Sequence, residues 1–217
     1  MKKLFLFIGL MLGFTAQARD LRSLFVNMPD SVIPLLSEVN RADFGDFLDS
    51  KMKAIVKNKL GEKSEMLVMN DDYLSLRLTT ANYVDMRLLE VNDSTSIICM
   101  VNTYHTPVED SSIRFYDTNW CELDSSLYIE LPAERDFFVE PVSAEQNDSL
   151  ASLLLSASMQ LQQISLDAKD DLLSIKYTSA DFMDKKSSAA LKKYLKKTPL
   201  MYRWTKEGFK QVEGDIQ

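Results

Sequence analysis

Side chains able to do chemistry are few in this chain, and their spacing narrows them further. There is one histidine, His105, between Tyr104 and Thr106-Pro107 at the end of a strand-like run. Any Ser-His-Asp or Cys-His relay would have to pass through it. No G-x-S-x-G elbow presents a serine, and nothing in the pattern sets Cys99 or Cys121 beside the imidazole. An ordinary turn histidine is the better reading. One histidine also starves the usual zinc arrangements, and H-E-x-x-H is absent. The 6 glycines form no phosphate-cradling loop, so nucleotide cofactors are not expected. The sequence assigns no catalytic residue, no metal ligand and no cofactor.

Carboxylates are more abundant. Asp71-Asp72, Asp170-Asp171 and Asp43/Asp46/Asp49 are the clusters. Calcium takes several carboxylates, but EF-hand spacing is absent, and aspartates ahead of strands are ordinary turn formers. As an acid–base pair the same groups would make a carboxylate-based hydrolase of the cell envelope, which needs an aromatic-lined cleft that the pattern does not place.

The aspartate pairs open a stretch that occurs twice. Asp71–Asp85 reads DDYLSLRLTTANYVD and Asp170–Asp184 reads DDLLSIKYTSADFMD, identical at seven of fifteen positions. A second match follows in the same order: Ile113-Arg114-Phe115-Tyr116 with Trp120, against Tyr202-Arg203-Trp204-Thr205 with Phe209. Internal similarity of this kind predicts one small unit used twice. In that alignment Phe115 corresponds to Trp204 and Trp120 to Phe209. Tyr116, Trp120, Tyr202 and Trp204 are then the aromatics to watch, either as two equivalent core layers or as patches on a shared sheet face that contact a protein or glycan. Cys99 and Cys121 form a disulfide if the compartment is oxidising, or Cys99 is a buried free thiol in its apolar strand.

These groups must be positioned by elements of two kinds. Val32, Ile33, Leu36 and Val39 after Asp30 give a helical face, Asn40 is a second cap, and Phe44, Phe47 and Leu48 continue at helical spacing. Met52–Leu60 fits helix or strand, with Gly61 as its stop. From Ser64 the runs suit strands: Met66–Met69, Tyr73–Thr80, Tyr83–Val91 and Ser96–Tyr104, separated by polar turn clusters. Ile113–Tyr116 and Trp120–Leu123 read as a hairpin through Asp117-Thr118-Asn119, and Leu127–Leu131 as a further strand. Asp148–Ser158 reads as a helix capped by Asn147 or Asp148, and Ser187–Lys197 as one capped by a serine with lysines on its solvated face. Gln163–Leu166 and Leu172–Ser179 are strands, and a last hairpin runs through Tyr202 and Trp204 to Phe209 and Val212. The expected fold is α+β, an antiparallel sheet with helices on one face, in two related halves in tandem.

At the start, Lys2-Lys3, the apolar run Leu4–Phe14 and Ala16-Gln17-Ala18 have the form of a secretory leader, too short to span a bilayer. The organisation read from the sequence is therefore 1–18 leader, 19–131 first half, 132–147 connector and 148–217 second half. With 25 basic and 32 acidic residues the net charge is −7, which argues against nucleic acid as a partner. No later stretch is apolar enough to cross a membrane as a helix. The apolar fraction of 46% supports a real core rather than disorder.

Several short pieces resemble a family of secreted Bacteroidales-type proteins with no assigned activity. They are Phe25-x-x-Met28-Pro29-Asp30, Asp43-x-x-Asp46, Val56-x-Asn58-x-Leu60-Gly61, Phe115-Tyr116-x-x-x-Trp120, and Lys193-Tyr194-Leu195 with Pro199-Leu200-x-Tyr202-x-Trp204. The resemblance implies export to the periplasm or beyond and transfers no functional residue. The expectation is an exported, non-enzymatic binding or interaction protein of the envelope whose halves share an extended sheet. The carboxylate hydrolase and a structural assembly factor are the alternatives.

Overall fold

The computed structural model describes residues 20–105 and 107–212; the expected leader at 1–18 lies outside them. The described chain opens with two short helices. In α1 (Leu21–Val26) the Asp20 carboxylate accepts from the Ser23 amide, and Leu21, Leu24 and Phe25 are buried. In α2 (Glu38–Asp49) the cap is Ser37, and Asn40 closes a reciprocal capping box as the third residue inside. Expecting Asn40 as the cap placed the start three residues late. Ser, Asp and Asn all satisfy free amides, so two candidates this close are not separable by type. Of the expected face, 32–35 is turn and bend rather than helix, Leu36 precedes the Ser37 cap, and Val39 lies inside α2 but is exposed.

Seven strands follow as one antiparallel meander in chain order. They are β1 (Ile55–Lys57), β2 (Lys63–Met69), β3 (Tyr73–Arg77), β4 (Asn82–Asn92), β5 (Thr95–Tyr104), β6 (Asp110–Asp117) and β7 (Glu122–Leu123). Met52–Leu60 thus contributes a short edge strand, and Gly61, at φ +82°, makes the turn from β1 to β2. Alternation divides the sheet into two apolar faces. Leu74, Leu76, Val84, Met86, Ile98 and Met100 pack under α1 and α2. Leu89, Ile97, Cys99, Val101, Ile113 and Phe115 point the other way. Each fully buried Leu, Ile or Phe contributes about 2 kcal/mol of transfer free energy.

That second face is covered by a separate four-stranded antiparallel sheet in the order β11-β10-β9-β8. Its strands are β8 (Gln162–Leu166), β9 (Leu172–Tyr177), β10 (Leu200–Trp204) and β11 (Phe209–Val212). The two sheets therefore share a core and do not join into the expected extended sheet. The reason lies at the edge of β8, where side chains of β6 stand in for a neighbouring strand. The Ile164 amide donates to Ser111 Oγ at 3.0 Å, and the Gln162 amide donates to Asp110 Oδ1 at 3.3 Å. The β11 edge is closed in part by the Phe209 amide, which donates to Tyr128 O at 2.6 Å. A Cβ on Gly208 would sit 2.8 Å from that same oxygen, so only glycine allows this approach. Leu127–Leu131 is not a strand; Ser125–Leu127 is a 3-10 turn, and Ile129 makes a lone bridge to Phe209.

Three helices lie beside the second sheet: α3 (Ala144–Ala157), α4 (Ser179–Phe182) and α5 (Lys185–Leu191). Their caps sit upstream of the expected ones, at Ser143 for α3 and Asp184 for α5. The segment read as a connector carries Phe137 and Phe138 into the common core. Among the described residues no helix is long and apolar enough to cross a membrane.

Candidate functional site

The four aromatics singled out by type and register are core residues. Tyr116, Trp120, Tyr202 and Trp204 are 3%, 9%, 3% and 7% exposed. Each indole N–H fastens one layer to another. Trp120 donates to Leu24 O of α1 at 3.0 Å, and Trp204 donates to Glu90 O of β4 at 2.7 Å. Trp120 holds φ at +64° to do so, a cost met by its packing on Tyr116 at 5.6 Å. A buried ring presents no face to a partner, so of the two readings offered the core layers describe where these rings lie. Cys99 and Cys121 are both free thiols, the first buried and the second exposed. Cys99 sits in the core between the sheets, where burial pushes its thiol pKa up.

The doubled aspartate stretch meets itself around one guanidinium. Arg87 on β4 is buried, and its Nε donates to Asp171 Oδ1 at 2.8 Å while Nη2 donates to Asp72 Oδ2 at 3.1 Å. Nη1 donates to Asp167 O at 3.0 Å, and Nη2 also reaches Lys169 O at 3.4 Å. The second aspartate of each copy is thus spent on a single arginine that joins the two sheets. Among the described residues no group of three or more His, Cys, Asp or Glu is placed to hold a metal ion.

The copies keep one geometry through their first half. Asp72 O accepts from the Leu88 amide at 2.8 Å, and Asp171 O from the Trp204 amide at 2.9 Å. Arg87 stands opposite Tyr73, as Arg203 stands opposite Leu172. By register Tyr202 and Arg203 stand to Leu173 and Leu172 as Met86 and Arg87 stand to Leu74 and Tyr73, whereas Ile113–Tyr116 pairs with β5. The copies then part. Leu78–Ala81 turns tightly into β4, whereas Ser179–Phe182 coils as α4.

Their closing aspartates have opposite environments. Asp85 lies on β4 beside Ser75 and accepts from the Tyr73 hydroxyl at 3.3 Å. Burial holds its carboxyl above the ordinary aspartate range, partly opposed by hydrogen bonds from Ser75 and Tyr73 and by His105. Burial, with Asp85 second, pushes the Tyr73 phenol up to about 12. Asp184 instead caps α5, where hydrogen bonds from Ser187 and the Lys186 amide hold its carboxyl low. His105 packs edge-on against Tyr83 at 4.5 Å and lies 3.5 Å from Glu109, with no serine or cysteine among those contacts.

A concave feature occurs elsewhere, at the end of the β9–β10 pair. A cleft of about 190 Å³ has Phe137, Tyr177 and Leu200 as its floor, all buried. Exposed Lys176, Lys196 and Lys197 stand round its mouth. Its walls are fixed by backbone pairing: the Lys196 amide donates to Phe137 O at 2.9 Å, and the Val139 amide to Tyr194 O at 2.8 Å. The Tyr177 hydroxyl is already committed, donating to Glu134 Oε1 at 2.7 Å. Lys192 is ion-paired with Asp181, whereas the three cleft lysines have no such partner among the described residues. Lys196 and Lys197 do not lie on the expected solvated helix face. The helix ends at Leu191, Lys196 and Lys197 lie on the loop into β10, and Lys176 comes from β9.

Comparison with known proteins is consistent with this architecture. The family model described as "Protein of unknown function (DUF3256)" matches residues 14–209. A solved structure described as a domain of an uncharacterized protein from Porphyromonas gingivalis W83 superposes with a TM-score of 0.77 at 28% identity, covering 88% of this chain and 97% of that one. No curated protein matches the chain.

Proposed function

As the chain belongs to the DUF3256 family, whose function is unknown, we propose that it is an exported, non-enzymatic binding protein whose ligand site is the lysine-rimmed cleft. The observation that carries this reading is three ammonium groups, without an ion-pair partner among the described residues, around a preformed apolar hollow in a chain whose net charge is −7. Ligand sites are typically concave, mostly apolar and provided with a few convergent polar groups. Unpaired cations concentrated at one mouth of an acidic protein select for anions. Export rests on the leader pattern of residues 1–18. We further read β2–β4 and β8–β10 as one three-stranded unit used twice, a reading supported by their matching registers and by the paired bonds at Asp72 and Asp171.

Two measurements test the proposal. Fractionation of the native host, with mass spectrometry of the N-terminus, should find the chain beginning at Arg19 outside the cytoplasm. Thermal-shift screening against a panel of organic anions should find ligands that stabilise the protein, and the combined variant K176Q/K196Q/K197Q should lose the response. A cytoplasmic chain that keeps Met1, or a panel with no response, would overturn it.

A further inference from the structure

We infer that the cleft takes a small apolar ring bearing a single carboxylate, with the carboxylate among Lys176, Lys196 and Lys197 and the ring on Phe137, Tyr177 and Leu200. This deepens the binding-protein reading and rests on it. Size sets the first limit. A cavity of about 150 Å³ lined by apolar side chains accepts benzene, and this one, at about 190 Å³, leaves space for one ring and a short charged head.

Polarity sets the second limit. The buried floor presents carbon, because the Tyr177 hydroxyl is turned to Glu134; the other hydroxyl of the lining, on Thr198, is exposed and stands with the lysines. A sugar or another hydroxyl-rich ring would lose its hydrogen bonds there without replacement. The charged groups of the lining are the exposed lysines at the mouth, and all of them are ammonium groups. They attract an anion as point charges and supply no bidentate fork of the kind arginine offers. Inorganic phosphate would meet the lysines and leave the floor empty; a neutral ring would fill the floor and leave the lysines unused. Only a molecule with both parts uses the whole site. The pairing of residues 137–139 with 194–196 forms the walls in advance, so ordering them adds little to the cost of binding.

Benzoate is the probe, with benzyl alcohol and inorganic phosphate as its neutral and ring-free comparators. Amide shifts of Lys176, Lys196 and Leu200 in ¹⁵N-labelled protein report the site. The expected result is saturable benzoate binding with a dissociation constant on the order of millimolar, as suits so small a ligand. In K176Q/K196Q/K197Q it should weaken by about tenfold or more, since charge-assisted hydrogen bonds are lost. These lysines are exposed and the variant should melt like the parent, so a loss of binding will not be a loss of fold. Equal affinity for benzyl alcohol, or unchanged benzoate binding in the variant, would sink the inference. Phosphate binding at these amides without benzoate would also sink it, while leaving the cleft as an anion site. Silence from every anion would remove the binding-site reading as well.

Discussion

On the helical face of the seven-stranded sheet the buried cation is Arg41; on the face that meets the second sheet it is Arg87. Arg41 donates to Val26 O, Met28 O and Leu36 O and pairs with Asp30, all within fifteen residues of it in sequence. Arg87 takes Asp167 O, Lys169 O and Asp171 from eighty or more residues away and only Asp72 from nearby. Each is accompanied by one indole bond, Trp120 to α1 and Trp204 to β4. The same chemistry therefore does two jobs. Arg41 shapes a loop that the helices need, whereas Arg87 holds two sheets in register.

The largest expected effect breaks this contrast at the arginines. Arg87→Met should cost about 3 kcal/mol, because it strands two carbonyls and removes the cation between two carboxylates. Amides of β8–β11 should then exchange before those of β3–β5. Arg41→Met should lose a similar order of stability, but with exchange confined to residues 26–36 and α2. If both variants open the same amides, the distinction between loop-shaping and sheet-joining is wrong.

Removing only the indole donors sharpens the comparison further. Trp204→Phe leaves Glu90 O without its partner, and Trp120→Phe does the same to Leu24 O. Each should lower stability by about 1–2 kcal/mol, the usual cost of a buried unmet acceptor plus a small cavity. Urea unfolding should show shifted midpoints with an unchanged slope. A change in slope would mean that one layer detaches before the other.

How far this was legible follows from the same residues. Strands announced themselves by short apolar runs, as in Ile97–Val101, because a sheet buried on both faces needs apolar side chains in both directions. Arg87 did not. Alternation places it on the face of Leu89, but nothing local says that this face is buried, since its cover lies beyond residue 160. The doubled stretch is plain in the sequence, but the strand that pairs with it is not: Tyr202–Arg203 pairs with β9 as Met86–Arg87 pairs with β3, while Ile113–Tyr116 pairs with β5. Helices α4 and α5 lie between β9 and β10, where Leu78–Ala81 alone joins β3 to β4. Small polar residues such as Thr79-Thr80 and Ser179-Ala180 serve either connection equally well. The cleft escaped notice because Phe137 and Leu200 meet only in the fold. Lys196 and Lys197 fit a helix face only if helical spacing runs past Leu191, where the helix in fact ends, and Lys176 joins them from β9.

The smallest effects come from the closing aspartates, and they should differ in sign. The folded-state pKa of Asp85 is raised above its ordinary value of 3.8. As pH rises past that value the unfolded chain releases its proton first, so the folded state loses stability; below it the penalty is absent. Asp85→Asn should therefore gain stability near about pH 7 and lose that gain near about pH 3. For Asp184 the folded pKa is lowered, so its stabilisation is present above 3.8 and disappears as pH falls through the folded value. Asn caps a helix about as well as Asp, so Asp184→Asn should be slightly less stable than the parent at neutral pH and equal to it in acid. Melting temperatures of the two variants, each plotted against pH as a difference from the parent, should lie on opposite sides of zero at neutral pH and converge on it at low pH. Two curves of the same sign would show that burial at Asp85 is offset by its hydroxyl neighbours, and that both copies of the motif end in the same electrostatic state.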